Sequence, residues 1–371
     1  MKKILLIASE NFATPTSGYQ LCVYNRYQAL INNGFDIDVI IFKDNNTDDK
    51  EKANIHVRKK VNFHNLIKCI FKGQPFFSMY YEGEKFIEEV LSSTDYNAVI
   101  YEGLTSTALY DERIKIRFEK TKFVYCAHNV EYLLVNDIYK KRKGAYLLRH
   151  YLQWSVKKYE KKLLSLMDEV VTLSNSDSEK LNELLPREIL TSGIHFSPIN
   201  FVNAKLMGEH GKKIILLPTN FTHPPNLESF TKVVIPLSLS LGHEYEIVVT
   251  GKDDGYFNSH KFTNIKYMGL VDKSELDRLY SLAYCSLNPT ISGGGVQIKL
   301  YEPLMYGCPV VTMDFNLQDT LLGQYVVESH SDINSTLSII GSESRKSIYD
   351  SFYKKNEREI MNWVGIYNEI I

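Results

Sequence analysis

The chain has 371 residues, of which 44% are hydrophobic and 23% charged, and its formal net charge is −1. This is a globular composition, long enough for two domains that each bury a core, and it excludes a bulk polyanion binder. The charge is unevenly spread: residues 1–205 carry 29 Lys+Arg against 25 Asp+Glu, and the remainder 14 against 19. The five cysteines are far apart and form no Cys-x-x-Cys pair, so a reduced, cytoplasmic chain without a thiol metal site is expected.

Short apolar runs alternate with helical patterns throughout, the mark of parallel sheets with crossover helices. The opening Lys2-Lys3 and the apolar run behind them mimic a leader peptide, but the run stops at Ser9-Glu10-Asn11 and reads as a first buried strand, Ile4–Ala8. No stretch reaches the ~20 apolar residues of a membrane-spanning helix. The loop Thr14–Gly18 leads into a helix over Tyr19–Asn32 that Gly34 stops, and Gly18 leaves a backbone N–H exposed at that helix start. No Gly-x-Gly-x-x-Gly accompanies it. A strand over Ile37–Phe42 begins beside Asp36 and Asp38, whose alternation places both carboxylates on one face at the amino end, away from where ligand binds.

Further strands are expected at Ala98–Tyr101, Phe123–Ala127 and Glu169–Leu173. Glu102 lies just past the first of these, either to accept from a substrate hydroxyl or as a solvated loop carboxylate. His128, Asn129 and Glu131 follow the second, at a strand end where catalytic residues collect. Taken alone, His128 is either satisfied by neighbouring backbone or able to donate to a developing anion; Glu131 also favours the start of the next helix. A long amphipathic stretch, Ala145–Met167, carries an apolar stripe at Leu148, Leu152, Tyr159, Leu163 and Leu166. Basic runs at 140–143, 157–158 and 161–162 interleave with Tyr146, Tyr151 and Trp154. That is either a solvated face or a contact with an anionic membrane surface, and no nucleic-acid motif accompanies it. A helix at Ser178–Leu185 precedes a hinge near Phe196–Gly211.

The second half restarts with strand Lys213–Leu217, helix Leu227–Leu239 and strands Glu246–Thr250 and Ile265–Met268. Helix Lys273–Ala283 and strand Cys285–Asn288 follow. Between the first strand and its helix, Asn226 has the chemistry of an N-cap, and Thr219 and Asn220 lie where a ligand would be touched. The run Ser292–Pro303 is the most informative. Gly293, Gly294 and Gly295, with Val296, leave backbone N–H groups open to a polyanion. Pro303 suits a helix beginning near Lys299, which puts Lys299 beside the anion and Glu302 one turn further in. There Lys299 would neutralise a diphosphate and Glu302 would accept from ribose hydroxyls. Strand Pro309–Met313 and a terminal helix, Ser344–Ile371, complete the pattern.

The order of loop, Lys299, Glu302, Gly307 and Pro309-Val310-Val311 resembles the donor-site element of GT-B glycosyltransferases, in particular the retaining group called family 4. The second glutamate of that group's Glu-x7-Glu pair maps onto Glu302, while the first falls at Gly294, as in bacterial surface-polysaccharide members with a Gly-Gly-Gly…Lys…Glu variant. His128-Asn129-Val130-Glu131 resembles a motif at the corresponding strand end of bacterial sugar transferases. The resemblance implies an α/β GT-B fold: a Rossmann-like acceptor domain over 1–200, a donor domain over 201–345, and a helix over 346–371 crossing back to the first domain, with the site in the cleft between them. It implies transfer of a sugar from a nucleotide diphosphate sugar to a saccharide or polyprenyl-linked acceptor, with retention and without a metal or other cofactor. Gly18, Thr219, Asn220, Gly293, Gly294, Gly295, Val296, Lys299 and Glu302 would then serve the donor; Glu102, Asn129 and Glu131 the acceptor; and His128 the chemistry. A sugar-nucleotide 2-epimerase and a catalytically silent scaffold share the same fold and stay open.

Overall fold

The computed structural model of the chain describes residues 2–43, 54–57, 67, 69–71, 75, 84–140, 146–202, 211–253, 255–260, 262–291, 297–313, 321–340 and 344–371. They fall into two compact units, Met1–Ser197 with Arg358–Ile371, and Pro198–Gly293 with Gln297–Glu357.

The first unit holds β1 (Lys3–Ala8), β2 (Asp36–Lys43), β3 (Asn54–Val57), β4 (Ala98–Glu102), β5 (Lys122–Ala127), β6 (Glu169–Thr172) and β7 (Leu190–Thr191). They form one sheet in the order β3-β2-β1-β4-β5-β6-β7, parallel throughout. Its central strands are unbroken apolar runs because a parallel sheet is covered on both faces. Leu5, Ile7, Tyr101, Phe123 and Tyr125 pack on one face against Leu163 and Leu164. Ile4, Ile100, Val124 and Cys126 pack on the other against Leu30, Trp363 and Tyr367. The order reverses between β1 and β4, and the register sets Glu102 opposite both Ala8 and Cys126 at the carboxyl edge. In sheets of this kind, that crevice is where ligands bind.

The second unit holds β8 (Lys213–Pro218), β9 (Tyr245–Thr250), β10 (Ile265–Tyr267), β11 (Cys285–Asn288), β12 (Val310–Met313) and β13 (Gln324–Val327). Their order is β10-β9-β8-β11-β12-β13, again all parallel, with the reversal between β8 and β11. The terminal helix Arg345–Ile370 contributes its first half to this unit and its residues from Arg358 onward to the first. Within the second unit the Tyr349 hydroxyl donates to the Ile199 carbonyl at 2.7 Å; within the first, Trp363 Nε1 donates to the Arg26 carbonyl at 3.1 Å.

Two expectations are corrected. No α-helix begins at Lys299: the chain makes two 3-10 turns, Ile298–Leu300 and Glu302–Tyr306, joined at Tyr301. Pro303 has no N–H to give the carbonyl four residues back, so i→i−3 bonds such as Leu300 to Gln297 and Leu304 to Tyr301 replace the α pattern. Asn226 is not an N-cap. Its helix starts at Pro224, whose fixed φ suits a first turn, and the Asn226 amide instead donates to the Asn220 carbonyl at 2.8 Å. That helix continues to Ser240 through a π segment, Phe230–Val234, just ahead of Pro236, which cannot donate an α hydrogen bond. Strands β3, β7 and β13 were not legible either, being two to four residues long at or near the sheet edges.

Gly307 closes the turn before β12 at φ +63°, and a Cβ there would sit 2.2 Å from the Arg345 carbonyl oxygen. Gly307→Ala is expected to cost about 1–3 kcal/mol or more in denaturant unfolding, and an unchanged midpoint would contradict this packing.

Candidate functional site

Chemistry-bearing side chains gather at the carboxyl edge of each sheet, and each edge is described within its own unit. In the first, Glu102 ends β4 completely buried, which rules out the solvated-loop reading. Its Oε2 accepts from Arg26 Nη1 at 2.9 Å and lies 2.7 Å from His128 Nε2. Burial alone would raise the carboxyl's pKa, but Arg26 and His128 outweigh it and hold Glu102 below the usual range. Burial likewise opposes charge on His128, yet the neighbouring Cys22 and Glu102 raise it to about 9. The imidazole is 7% exposed and turned inward on Glu102.

Arg26 is the centre of this cluster. Its Nη2 donates to Ser192 Oγ at 2.7 Å, and its guanidinium carbon lies 4.3 Å from the Trp363 ring centroid. A flat cation stacked on an indole and forked between two acceptors is held in a single orientation. Tyr19 closes the front. Its hydroxyl accepts from the Ser9 N–H at 3.0 Å and donates to the Glu102 carbonyl at 2.9 Å, and its ring lies 4.9 Å from that of His128. Behind Arg26, His195 is buried against Trp363, and burial followed by Arg26 lowers its pKa to about 3, so it is neutral. Gly18 stands exposed at the start of the helix Gly18–Asn32, which Ser17 caps through Gln20 N.

Asn129 and Glu131 lie beside this cluster. Glu131 opens the helix Glu131–Lys140, and the Asn129 amide reaches its carboxylate at 3.4 Å. The helix start is capped from outside by Glu160, whose oxygens accept from the Glu131 and Tyr132 N–H groups at 3.1 and 3.3 Å. Burial pushes Glu160 up to about 8, and Glu131 is raised by burial as well.

Gly293, Gly294, Gly295 and Val296 lie outside the described residues. Both ends of their loop are fastened. The Ile291 N–H donates to Ser229 Oγ at 3.2 Å, and the Asn288 amide donates to Gln297 Oε1 at 2.9 Å. Lys299 follows at once, in the first 3-10 turn. Burial lowers its pKa to about 8, and no carboxylate among the described residues pairs with it. Its charge adds to burial in lowering the pKa of His223, which stands after β8 across the switch point. Thr219 and Asn220 share that loop: the Thr219 N–H bonds the Thr250 carbonyl, and Asn220 Oδ1 accepts from the Thr222 N–H at 3.0 Å.

Glu302 points elsewhere. It is almost fully buried, with Oε2 accepting from the Tyr280 hydroxyl at 3.2 Å and Oε1 3.6 Å from Lys273 Nζ. Burial raises its pKa, with Lys273 opposing. Lys299 and Glu302 therefore occupy different surroundings rather than one helix face. Arg345 braces the turns around Glu302 by donating to the Ala283, Tyr280 and Tyr306 carbonyls at 2.7–2.8 Å. Asp36 and Asp38 lie 3.3 and 3.2 Å from Lys3 Nζ at the amino edge of the first sheet, a structural ion pair.

Sequence reasoning missed Arg26, Tyr19, Ser192, His195, His223 and Trp363. Arg26 left a signal: it interrupts the buried face Cys22, Val23, Arg26, Ala29, Leu30 of its helix, where a charge demands a partner. Ser192 and His195 follow a two-residue strand that leaves no pattern.

No family model matches the sequence, and no curated protein is significantly similar to it. Solved structures are similar over their whole length. A sucrose-phosphate synthase from Thermosynechococcus elongatus superposes with a TM-score of 0.63 at 13% identity, covering 98% of this chain and 95% of that one. A TarM mutant from S. aureus, in complex with fondaparinux, alpha-GlcNAc-glycerol and UDP, gives 0.69 at 10% identity over 100% and 99%. The pneumococcal O-GlcNAc transferase GtfA, in complex with UDP and GlcNAc, gives 0.62 at 11% identity over 100% and 99%. At this identity the likeness is one of fold, and the fold is GT-B.

The raised His128 pKa carries a sign. The stability it contributes is present in full below pH ~6.5, the unfolded value, and is lost as pH rises through about 9. Glu102→Gln should shrink that alkaline decline, with Cys22 keeping part of it, and cost about 3–5 kcal/mol by stranding Arg26. Denaturant unfolding across this range, with NMR titration of His128, checks both; a flat wild-type profile would contradict the network.

Proposed function

We propose that this chain, folded as GT-B glycosyltransferases fold, moves a sugar from a nucleoside diphosphate sugar to a hydroxyl of a saccharide or polyprenyl-linked acceptor. The single observation that carries this reading is Lys299: an ammonium partly withdrawn from water, at the switch point of the second sheet, without a carboxylate partner among the described residues. A buried charge without a partner is costly, and a bound polyanion supplies the partner. Ligands named in the structures similar in fold, UDP above all, are anions of the right kind.

In this reading the diphosphate lies against Lys299 and the glycine-rich loop, with His223 beside it. The two 3-10 turns that replace an α-helix carry little dipole, so the Lys299 side chain supplies most of the neutralising charge. As the bond to the sugar breaks, negative charge grows on the departing phosphate, and a fixed ammonium stabilises that state more than the ground state. Glu302, oriented by Tyr280 and Lys273, keeps lone pairs for ribose hydroxyls. The acceptor belongs to the first unit, around Gly18, Asn129 and Glu131. There His128 is turned inward on Glu102 and does not place a free base. The leaving phosphate then takes the proton of the incoming hydroxyl, which suits retention and needs neither a metal nor a carboxylate nucleophile. The product would be a surface polysaccharide or its lipid-linked precursor, made in the cytoplasm.

Screening UDP-, GDP-, dTDP- and CDP-sugars by thermal shift identifies the donor, since a ligand of the folded state raises its apparent stability. With that donor, Lys299→Ala should raise KM and lower kcat, reducing kcat/KM about 100-fold. Glu302→Ala should weaken nucleotide binding about tenfold with a smaller effect on kcat. Wild-type turnover by Lys299→Ala would overturn the assignment, and epimerised free sugar nucleotide without acceptor would replace transfer by epimerisation.

A further inference from the structure

We propose that the amino-terminal end of the helix Tyr146–Leu166, with the adjoining segment 69–71, is a docking surface for an anionic lipid bilayer. The inference is independent of the transferase reading. This end of the first unit exposes Phe71 at 87%, Leu147 at 82% and Trp154 at 52%, with Ile70 and Leu148 beside them. The two segments are joined where the Tyr151 hydroxyl donates to the Cys69 carbonyl at 3.2 Å. Tyr151 is one turn from Leu147, and its ring lies 6.2 Å from that of Trp154. The exposed side chains therefore belong to one patch and are not scattered singly.

The helix is polarised along its axis as well as around it. One exposed stripe reads Leu147, His150, Trp154, Lys158, Lys161: apolar and aromatic in its first half, basic in its second. Lys158 Nζ lies 5.3 Å from the Trp154 ring centroid and Lys157 Nζ 5.2 Å from the Tyr132 ring centroid, so two of these ammonium groups rest over aromatic faces while both lysines stay exposed. The helix carries one acid, Glu160, which is buried and spent on capping the next helix. Among the described residues, Lys162 is the one of these lysines that meets a carboxylate, Glu112 at 2.5 Å.

Apolar side chains for the headgroup boundary, followed by unpaired cations one or two turns behind, match an anionic membrane surface. A second copy fits poorly: the same helix of a second copy would offer these lysines no exposed carboxylate, since its one acid, Glu160, is buried. No helix among the described residues is long and apolar enough to cross a membrane, so the contact is one of surface docking.

Flotation of the full chain with vesicles tests this, with no donor or acceptor present. The wild type should float with vesicles of phosphatidylglycerol and phosphatidylcholine in equal parts, not with phosphatidylcholine alone, and should be released by high salt. Lys157→Glu with Lys158→Glu and Lys161→Glu should lower the bound fraction more than about tenfold. Phe71→Ser with Leu147→Ser should abolish flotation while keeping the wild-type melting temperature, as both side chains are exposed. Wild type that stays in the buffer would overturn the proposal. So would a serine variant that floats as well as wild type, or a wild-type dimer dissolved by the serine variant without any vesicle binding.

Discussion

An ammonium group gives up much of its water at the carboxyl edge of the second sheet and gains no carboxylate among the described residues in return. Nearly everything around Lys299 keeps that arrangement in place. Asn288 and Ser229 fasten the two ends of the loop that precedes it. Pro303 prevents the chain from settling into an α-helix, Gly307 turns it with a positive φ, and Arg345 holds three carbonyls of the turn and its neighbours. Desolvation lowers the lysine's pKa, and an unmatched cation in such surroundings is stabilised by whatever anion comes to it. Structure and chemistry meet at that one charge.

The first unit solves the opposite problem. There Arg26 and His128 are buried against the Glu102 carboxylate, with Trp363 stacked on the guanidinium and Tyr19 covering the front. Arg26 and His128 both meet the same Glu102 carboxylate oxygen, in a buried place at the β1–β4 switch point. Glu102 is thereby a structural counter-ion that orients His128. Trp363 comes from the end of the terminal helix, so the chain's last turns hold the side chain that organises this edge.

The fold was legible because its parallel strands are continuous apolar runs, and the loops that carry chemistry follow them at the carboxyl end. Lys299 and Glu302 were singled out by spacing and the glycines ahead of them. Their separation into different surroundings was not, because an i, i+3 argument presumes an α-helix that Pro303 forbids. Asn226 misled in the same way: its chemistry suits a cap, yet Pro224 and Pro225 claim the first turn. Glu102 read equally as solvent-facing or as functional, since its burial depends on Arg26, 76 residues away. Partners at such separations leave no local pattern, and an arginine interrupting a helix's apolar stripe is the nearest thing to a trace.

The central claim is that Lys299 takes up a diphosphate as its missing counter-charge. In the free protein burial pushes this lysine down to about 8. A bound diphosphate must raise that value, so binding of UDP or another preferred nucleoside diphosphate at about pH 8 should draw up to about half a proton from solution. Calorimetric titration in buffers of different ionisation enthalpy measures the proton directly, with Lys299→Arg as the reference that is charged throughout. Uptake by the wild type and none by the arginine variant is the predicted result; tight binding with equal proton exchange in both would contradict the account.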